Sequence, residues 1–414
     1  MKLGAMREAA AATLDAVRRG WALLAIGFVV DAAFIFIFLI ALQSYLPEDL
    51  GKSEAIVGYT LATFGLAKLL SQLGSGFIAD RLGTRRALIL GTGLLLLGYL
   101  AILPLAHGAA WLIVGCGGIV GLGSSVTWPA LYSAGASRFG EGEKGRFTAL
   151  LTLSTGGALL VGAGGGAVLN RMASFDAAMI APIAAAGIAF TLAIFTRGGE
   201  AHADAALPTL REFRAVVGSQ QRAMFALVVV CNGAALGALT AAFGAYRRDV
   251  LGVSLAEQGL LLAPAAILGG LLVVPGGALA DRIGARRLMV PGYLLAGVGL
   301  LALSQLSDPV LVVFGAGLTG AAYGLAAPTI ASTMMSLAGP ASSRGGVIAW
   351  FMTVDGVGHA VGPAVAGVLL GLFGAGAVLM LAGGLYVVVA YVALTSRVGA
   401  RHGAEAISAV AVEA

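Results

Sequence analysis

Residues 76–86 read GFIADRLGTRR, and residues 277–287 read GALADRIGARR. Each stretch is flanked on both sides by a long apolar run. The two aspartates, Asp80 and Asp281, lie 201 positions apart in a chain of 414 residues. Repetition at half the chain length predicts two equivalent bodies built on one layout. The repeat extends well beyond the charged stretch. Asp31 pairs with Asn232, Trp128-Pro129 with Ala327-Pro328, and Gly162-Ala163 with Gly362-Pro363, at offsets of 199 to 201.

Hydrophobic residues make up 59% of the chain and charged residues 11%. That charge content is too low to cover the surface of a water-soluble protein of this length. The apolar residues fall into runs of about 20, the length of a helix that crosses a bilayer at 1.5 Å per residue. Twelve spans are expected, at 21–43, 54–75, 87–106, 110–136, 147–169 and 176–196, then 222–245, 256–276, 288–306, 309–335, 346–371 and 374–396. The expected architecture is an all-α membrane protein of two pseudo-symmetric six-helix bundles. Its parts are an N-terminal segment (1–20, Ala-rich and helical over 5–19), a first bundle (21–196), a polar linker (197–221), a second bundle (222–396) and a tail (397–414). Within the linker, PTLREFRAVVGSQQR reads as a short surface helix. The first apolar run is too long for a cleavable signal peptide and continues directly into a repeat half.

Charge sorting sets the orientation. Of 25 Lys and Arg residues, only Lys52, Arg171, Arg247 and Arg248 fall on one side and only Lys68 lies within a span. The remaining 20 share the side of both termini and both repeated stretches, which the positive-inside rule assigns to the cytoplasm. Cys116 and Cys231 fall inside apolar runs and read as small core residues rather than a disulfide.

With that layout in place, the repeated stretch resembles the signature of the major facilitator superfamily, G-x-x-x-D-R-x-G-R-[RK] between spans 2 and 3. Gly76, Asp80, Arg81, Gly83, Arg85 and Arg86 fit it, with Thr84 in place of the first Arg after the second Gly. Gly277, Asp281, Arg282, Gly284, Arg286 and Arg287 fit it again, with Ala285 at the replaced position. The resemblance implies a transporter fold and a gating role for these residues, in which the carboxylate holds two helices together in one conformation. Within the family the chain is similar to the twelve-span drug:proton antiporters and related small-molecule exporters, which carry an acidic residue midway along span 1, as Asp31 does here. Two positions depart from that branch: Gly117 stands where it has Arg in span 4, and Gly162-Ala163 where it has Gly-Pro in span 5.

Ionisable side chains at mid-bilayer are costly, roughly 2.5–3.5 kcal/mol each on insertion scales, and mark function by default. Asp31, Lys68 and Asp355 are the clear cases; Glu54, Asp176 and Glu257 sit at span ends. Counting along the helices puts Asp31 about 16 Å and Lys68 about 12 Å from the cytoplasmic side, so a pair between them is geometrically open. Gly65, Lys68, Gln72 and Gly76 share one face of span 2. Gly117, Gly121, Ser124, Trp128 and Tyr132 share one face of span 4, and Asp355, His359 and Gly362 one face of span 11. Turned inward, these faces form a mixed polar and aromatic site to which Asn232 adds an amide. Asp31 is expected to carry a proton or meet a cationic group, with Lys68 acting on it. A neighbouring cation favours the carboxylate, and desolvation favours the neutral acid. Ala158, Gly162 and Gly166 read as a close-contact stripe, and Pro129, Pro264, Pro275, Pro328 and Pro363 as helix bends or ends.

These features point to a secondary transporter of the inner membrane that moves a small organic molecule by alternating access, with proton-coupled export the leading direction. Uptake or facilitated exchange of a metabolite or organic anion drawn to Lys68 is a second option. A non-transporting receptor on the same scaffold is a third. The charge of the cavity separates the first two: an unpaired Asp31 favours protons or cations, and a free Lys68 favours anions. No metal-ligand spacing, nucleophile elbow or phosphate loop is present, so no enzymatic step, cofactor, metal or nucleic-acid partner is expected. The expected partners are a small solute, protons and the bilayer, with the chain acting as a monomer.

Overall fold

The computed structural model describes residues 2–48, 50–53, 55–139, 144–196, 219–337, 341–396 and 398. Among them there are fifteen α-helices and no strand: α1 (Lys2–Ile35), α2 (Leu42–Glu48), α3 (Ala55–Leu82), α4 (Thr84–Ala106), α5 (Ala110–Arg138), α6 (Lys144–Leu159), α7 (Gly166–Met172), α8 (Phe175–Phe195), α9 (Gln220–Ala245), α10 (Leu255–Ile283), α11 (Ala285–Leu303), α12 (Pro309–Ala326), α13 (Pro328–Leu337), α14 (Ala341–Phe373) and α15 (Ala375–Thr395). Short π-helical segments join α1 to α2 (Phe36–Ala41), join α6 to α7 (Leu160–Gly165), and extend α9 (Tyr246–Val250). With α12 and α13 counted as one rod broken at Ala327-Pro328, the helices make twelve rods in two sets of six, the expected spans. Only helices satisfy every backbone polar group within one segment, which is why an apolar chain in lipid adopts them. Large side chains such as Leu70, Phe314, Leu318 and Tyr391 are exposed on the outer surface, and Trp111 and Phe195 stand exposed at span ends, as expected of a lipid-facing shell.

Starts and stops follow local chemistry. Ser254 and Glu257 form a reciprocal capping box at the start of α10, and Asp308 caps α12 ahead of Pro309. Ser219 caps α9; the rest of the predicted linker helix, most of the tail 397–414, and Glu54 lie outside the described residues. The N-terminal segment runs into span 1 as one helix, with no break at residue 20.

The repeated stretches differ from the expected charged loops. Helix α3 continues through Asp80 and Arg81 to Leu82, and α4 begins at Thr84, so the whole turn is Gly83. In the second half the turn is Gly284 alone. Their φ angles are 79° and 95°, which only glycine adopts without steric cost. Thr84 and Ala285, at the replaced motif position, are 5% and 8% exposed, so a long charged chain has no room there. Arg85 instead donates from Nε and Nη2 to the Ile194 carbonyl at 3.0 and 2.7 Å. Its counterpart Arg286 donates to the carbonyls of Ala393 and Leu394. Each arginine thus satisfies the open C-terminal carbonyls of the sixth rod in its own half and ties span 3 to span 6, or span 9 to span 12.

Glycines set how closely the rods approach. A Cβ at Gly117 would meet the Thr60 backbone, and one at Gly121 the Phe64 backbone. The span-4 position that carries Arg in the antiporter branch is therefore closed by span 2 in this chain. The predicted stripe on span 5 holds: Gly162 lies against Ala32 and Ile35 of span 1, and Gly166 against Phe36.

At the predicted outer end a buried side chain joins the halves. Gln43 of span 1 accepts from the backbone N–H of Gly244 on span 7 at 2.6 Å and donates through Nε2 to the Phe38 carbonyl at 3.0 Å. These are equivalent positions of the repeat, 201 residues apart, so the bond lies near the pseudo-twofold axis. A Cβ on Gly244 would lie 2.7 Å from that of Gln43. Gln43→Leu removes both bonds, each worth about 0.5–1.5 kcal/mol net. In a background lacking Cys116 and Cys231, thiol labelling of buried Ala41→Cys from the outer side is expected to accelerate severalfold when Gln43→Leu is added. An unchanged rate would show that this bond does not hold the outer end closed.

Candidate functional site

Span 2 and span 11 belong to different halves and meet backbone to backbone. A Cβ at Gly65 would strike the backbone of His359 and Ala360, one at Gly356 the backbone of Leu69, and one at Gly58 the backbones of Pro363 and Gly367. With no side chain between the two helices, Lys68 reaches across. Its Nζ lies 3.2 Å from Oδ2 of Asp355. His359, one turn on, places Nδ1 3.3 Å from the same oxygen and 3.1 Å from the Asp355 carbonyl. The side chains of Lys68, Asp355 and His359 stay 15%, 27% and 25% accessible. The site is therefore a partly accessible ion pair with a third polar group, bridging the two bodies.

The sequence left a Lys68–Asp31 pair open. In the structure Lys68 pairs with Asp355, and among the described residues no basic group comes within ion-pair distance of Asp31. Asp31 is half-buried. The hydroxyl of Thr155 on span 5 and the charge of Lys68 on span 2 both act on its carboxyl. Tyr99 of span 3 and Tyr132 of span 4 are within electrostatic range of it. Tyr132 and Trp128 have ring centroids 6.2 Å apart, and Tyr132 is 41% exposed. Tyr99 is fully buried and its hydroxyl has no hydrogen-bond partner. Leaving such a group unpaired costs about 1–3 kcal/mol.

The inward faces read from the sequence divide by residue type. Their glycines pack: Gly65 on span 11, Gly117 and Gly121 on span 2, Gly362 on the Ala234 backbone of span 7. Their polar and aromatic members differ in access: Tyr132 is 41% exposed, whereas Ser124 is buried. Gln72 is 2% exposed, with Nε2 3.9 Å from the Met352 sulfur and Oε1 without a partner. Asn232, expected as a free amide, is 9% exposed and accepts from the Tyr293 hydroxyl at 3.1 Å, while Tyr323 bonds to the same side chain. Tyr293, Tyr323 and Tyr386 form a ring cluster with centroids 5.4 to 6.0 Å apart. Sequence reading missed these tyrosines, together with Tyr99 and Thr155. The available signal was polar-tipped rings inside apolar spans, since a buried Tyr hydroxyl usually has a partner.

Of the gating residues, Arg85 and Arg286 serve as the helix caps described above, and Arg81, Arg86 and Arg287 are exposed. Gly277 lies 3.7 Å from the Pro328 side chain by its notional Cβ. The side chains of Asp80, Asp281 and Arg282, and the surroundings of Gly76, lie outside the described residues. Among the described residues no group of three or more His, Cys, Asp or Glu side chains is arranged to hold a metal.

A partly solvated ion pair stabilises by an amount between that of exposed pairs, up to about 1 kcal/mol, and the roughly 3–5 kcal/mol lost on breaking fully buried ones. Lys68→Ala and Asp355→Ala are each expected to lower the thermal unfolding midpoint, and the double variant less than the sum. Strict additivity in that cycle would show that the pair contributes no coupling.

The family described as Major Facilitator Superfamily matches residues 24–270 and 225–411. An uncharacterized MFS-type transporter of Bacillus subtilis, YttB, is 26% identical over 349 residues, covering 80% of this chain and 83% of that protein. Another from Escherichia coli strain K12, YhhS, is 26% identical over 357 residues, covering 84% and 85%. Among solved structures, the nucleoside transporter NupG superposes with a TM-score of 0.74 at 16% identity, over 91% of this chain and 99% of that one. The human organic anion transporter MFSD10 gives 0.68 at 17% identity over the same shares. At these identities the likeness speaks for the fold alone.

Proposed function

The chain belongs to the Major Facilitator Superfamily, and from that premise we propose that it is a proton-coupled secondary transporter exporting a small organic molecule across the cytoplasmic membrane. The bodies 21–196 and 222–396 rock about the Lys68–Asp355 contact, and the monomer is the working unit. The observation that supports this reading is how the charges are divided. Lys68 is engaged by Asp355, which leaves no unpaired cation at mid-depth among the described residues to draw an anion. Asp31 has no ion partner among the described residues and is half-buried, within electrostatic range of Tyr132. A carboxyl in that setting suits a proton, or an organic cation competing with it. Lys68 stands in the same bundle and acts on Asp31 without neutralising it. When the halves separate, Asp355 withdraws from Lys68, and the field at Asp31 changes with the conformation. That gives a route from proton binding to motion.

In proteoliposomes carrying a proton gradient, a panel of organic cations, neutral metabolites and organic anions is screened for solute-driven proton movement with a pH-sensitive dye. Asp31→Asn is expected to abolish gradient-driven flux while leaving solute counterflow. Wild-type gradient coupling in Asp31→Asn would refute the proposal. Flux confined to organic anions and lost in Lys68→Ala would instead favour anion exchange.

A further inference from the structure

A third side chain competes for the oxygen that joins the two halves. His359 places Nδ1 3.1 Å from the Asp355 carbonyl and 3.3 Å from Oδ2 of the Asp355 carboxylate. Lys68 Nζ lies 3.2 Å from that same Oδ2. Both neighbours of Nδ1 are oxygens that accept and do not donate, so Nδ1 carries the ring hydrogen. The lone pair of the neutral ring is then on Nε2, which has no hydrogen-bond partner among the described residues. The ring keeps 25% of its side-chain surface accessible. A proton from water can be added at Nε2 without breaking any bond the ring makes.

The surroundings leave that added charge one anion to share. Asp355 sits one turn back on the same helix, and Lys68 comes from span 2. A Cβ at Gly233 of span 7 would lie 3.0 Å from His359 Nδ1 and 3.1 Å from Asp355 Oδ1, so span 7 presents bare backbone there and no charge. On span 10, Tyr323 is within electrostatic range of Asp355. Span 12 contributes Tyr386, stacked on Tyr323 with centroids 5.6 Å apart. Asp31 on span 1 interacts electrostatically with Lys68. Among the described residues no second carboxylate lies within ion-pair distance of Lys68 or His359.

With His359 neutral, Lys68 is the cation that Asp355 pairs with, and the bond joins the halves. With His359 protonated, two cations bear on one carboxylate oxygen and repel each other. The cation on the helix of Asp355 itself stays at hand however the bodies move, whereas Lys68 belongs to the other half. Resting on the reading that the halves rock about this contact, we propose that His359 is a second proton site, distinct from Asp31, and that its protonation transfers Asp355 from the inter-half bond with Lys68 to a bond within span 11, releasing the two bodies. The added proton lodges on Nε2 and comes from water; Nδ1 keeps its own hydrogen and donates it to Oδ2. Loss of the Nε2 proton returns Asp355 to Lys68.

Two measurements on the full chain in lipid vesicles test this without a known substrate, between about pH 8 and about pH 5, the range in which histidine changes charge. In solid-state NMR of isotope-labelled histidine, the ring-nitrogen signals absent from His359→Gln are assigned to His359. They are expected to show an N–H at Nδ1 and a bare Nε2 at the alkaline end, and two N–H groups at the acid end. Spin labels at exposed Ala109 and Ser307, one in each half, read the separation of the bodies by double electron–electron resonance. The longer-distance population is expected to grow severalfold on acidification in the otherwise native chain and in Asp31→Asn. It is expected to stay at its alkaline level in His359→Gln, whose amide can donate to Asp355 but takes no proton, and to be present at both ends of the range in Lys68→Ala. A ring that never gains its second N–H, or an acid shift that persists in His359→Gln, overturns the proposal. If that persisting shift is lost in Asp31→Asn, the proton acts at Asp31 and the transport reading stands without His359. A Lys68→Ala distribution identical to the native one at both ends overturns instead the reading that the halves rock about this contact.

Discussion

Where span 2 crosses span 11, Gly65 and Gly356 leave nothing between the two backbones. At that crossing a lysine from one half reaches an aspartate from the other, 3.2 Å apart. Each is expensive to place in a membrane alone, and each makes the other tolerable. The cost of separating them depends on how much water reaches the pair, and their partial exposure keeps that cost moderate. A dry pair would lock the halves and a fully exposed one would barely couple them. The rest of the site is arranged around this contact. Asp31 lies on the near side within reach of Thr155 and Tyr132, and the Asn232–tyrosine cluster braces the far side.

Repetition builds the frame, and departures from repetition build the site. Gly83 and Gly284 make the same one-residue turn, and Arg85 and Arg286 cap the same helix end. Those features make each half a rigid body. Asp31 becomes Asn232 in the second half, where a tyrosine cluster takes up the amide. Lys68 has Gly269 at the offset of 201, and there the backbone packs on Gly320. A carboxyl on one side and a neutral amide on the other make the two bodies unequal in charge although alike in shape. The π-helical segment of span 5 has no equal in span 11, whereas that of span 1 has a counterpart at the end of span 7. Such segments often mark sites of functional adjustment.

The twelve spans and the two halves were legible in the sequence, because lipid imposes length and polarity rules that act locally. The partner of Lys68 was not, since Asp355 is 287 positions away. Counting residues put both near mid-depth but could not say which helices touch. The repeated stretch was read as a loop because its charges are dense. Yet Asp80 and Arg81 are compatible with a helix end, and only glycine's positive φ forces the turn. Gly117 looked like a lost functional arginine until the Thr60 backbone was seen to occupy that space. The tyrosine partners of Asn232 come from spans 9 and 10, which no spacing rule links to span 7.

Everything turns on whether the Lys68–Asp355 contact governs how the two bodies stand to one another. Spin labels at exposed Ala109 and Ser307, on the outer turns of the two halves, report that geometry by double electron–electron resonance in lipid. The expected result is one dominant separation in the otherwise native chain, and a population shifted to longer distance when Lys68→Ala and Asp355→Ala are combined. An identical distance distribution with the pair removed would contradict the account.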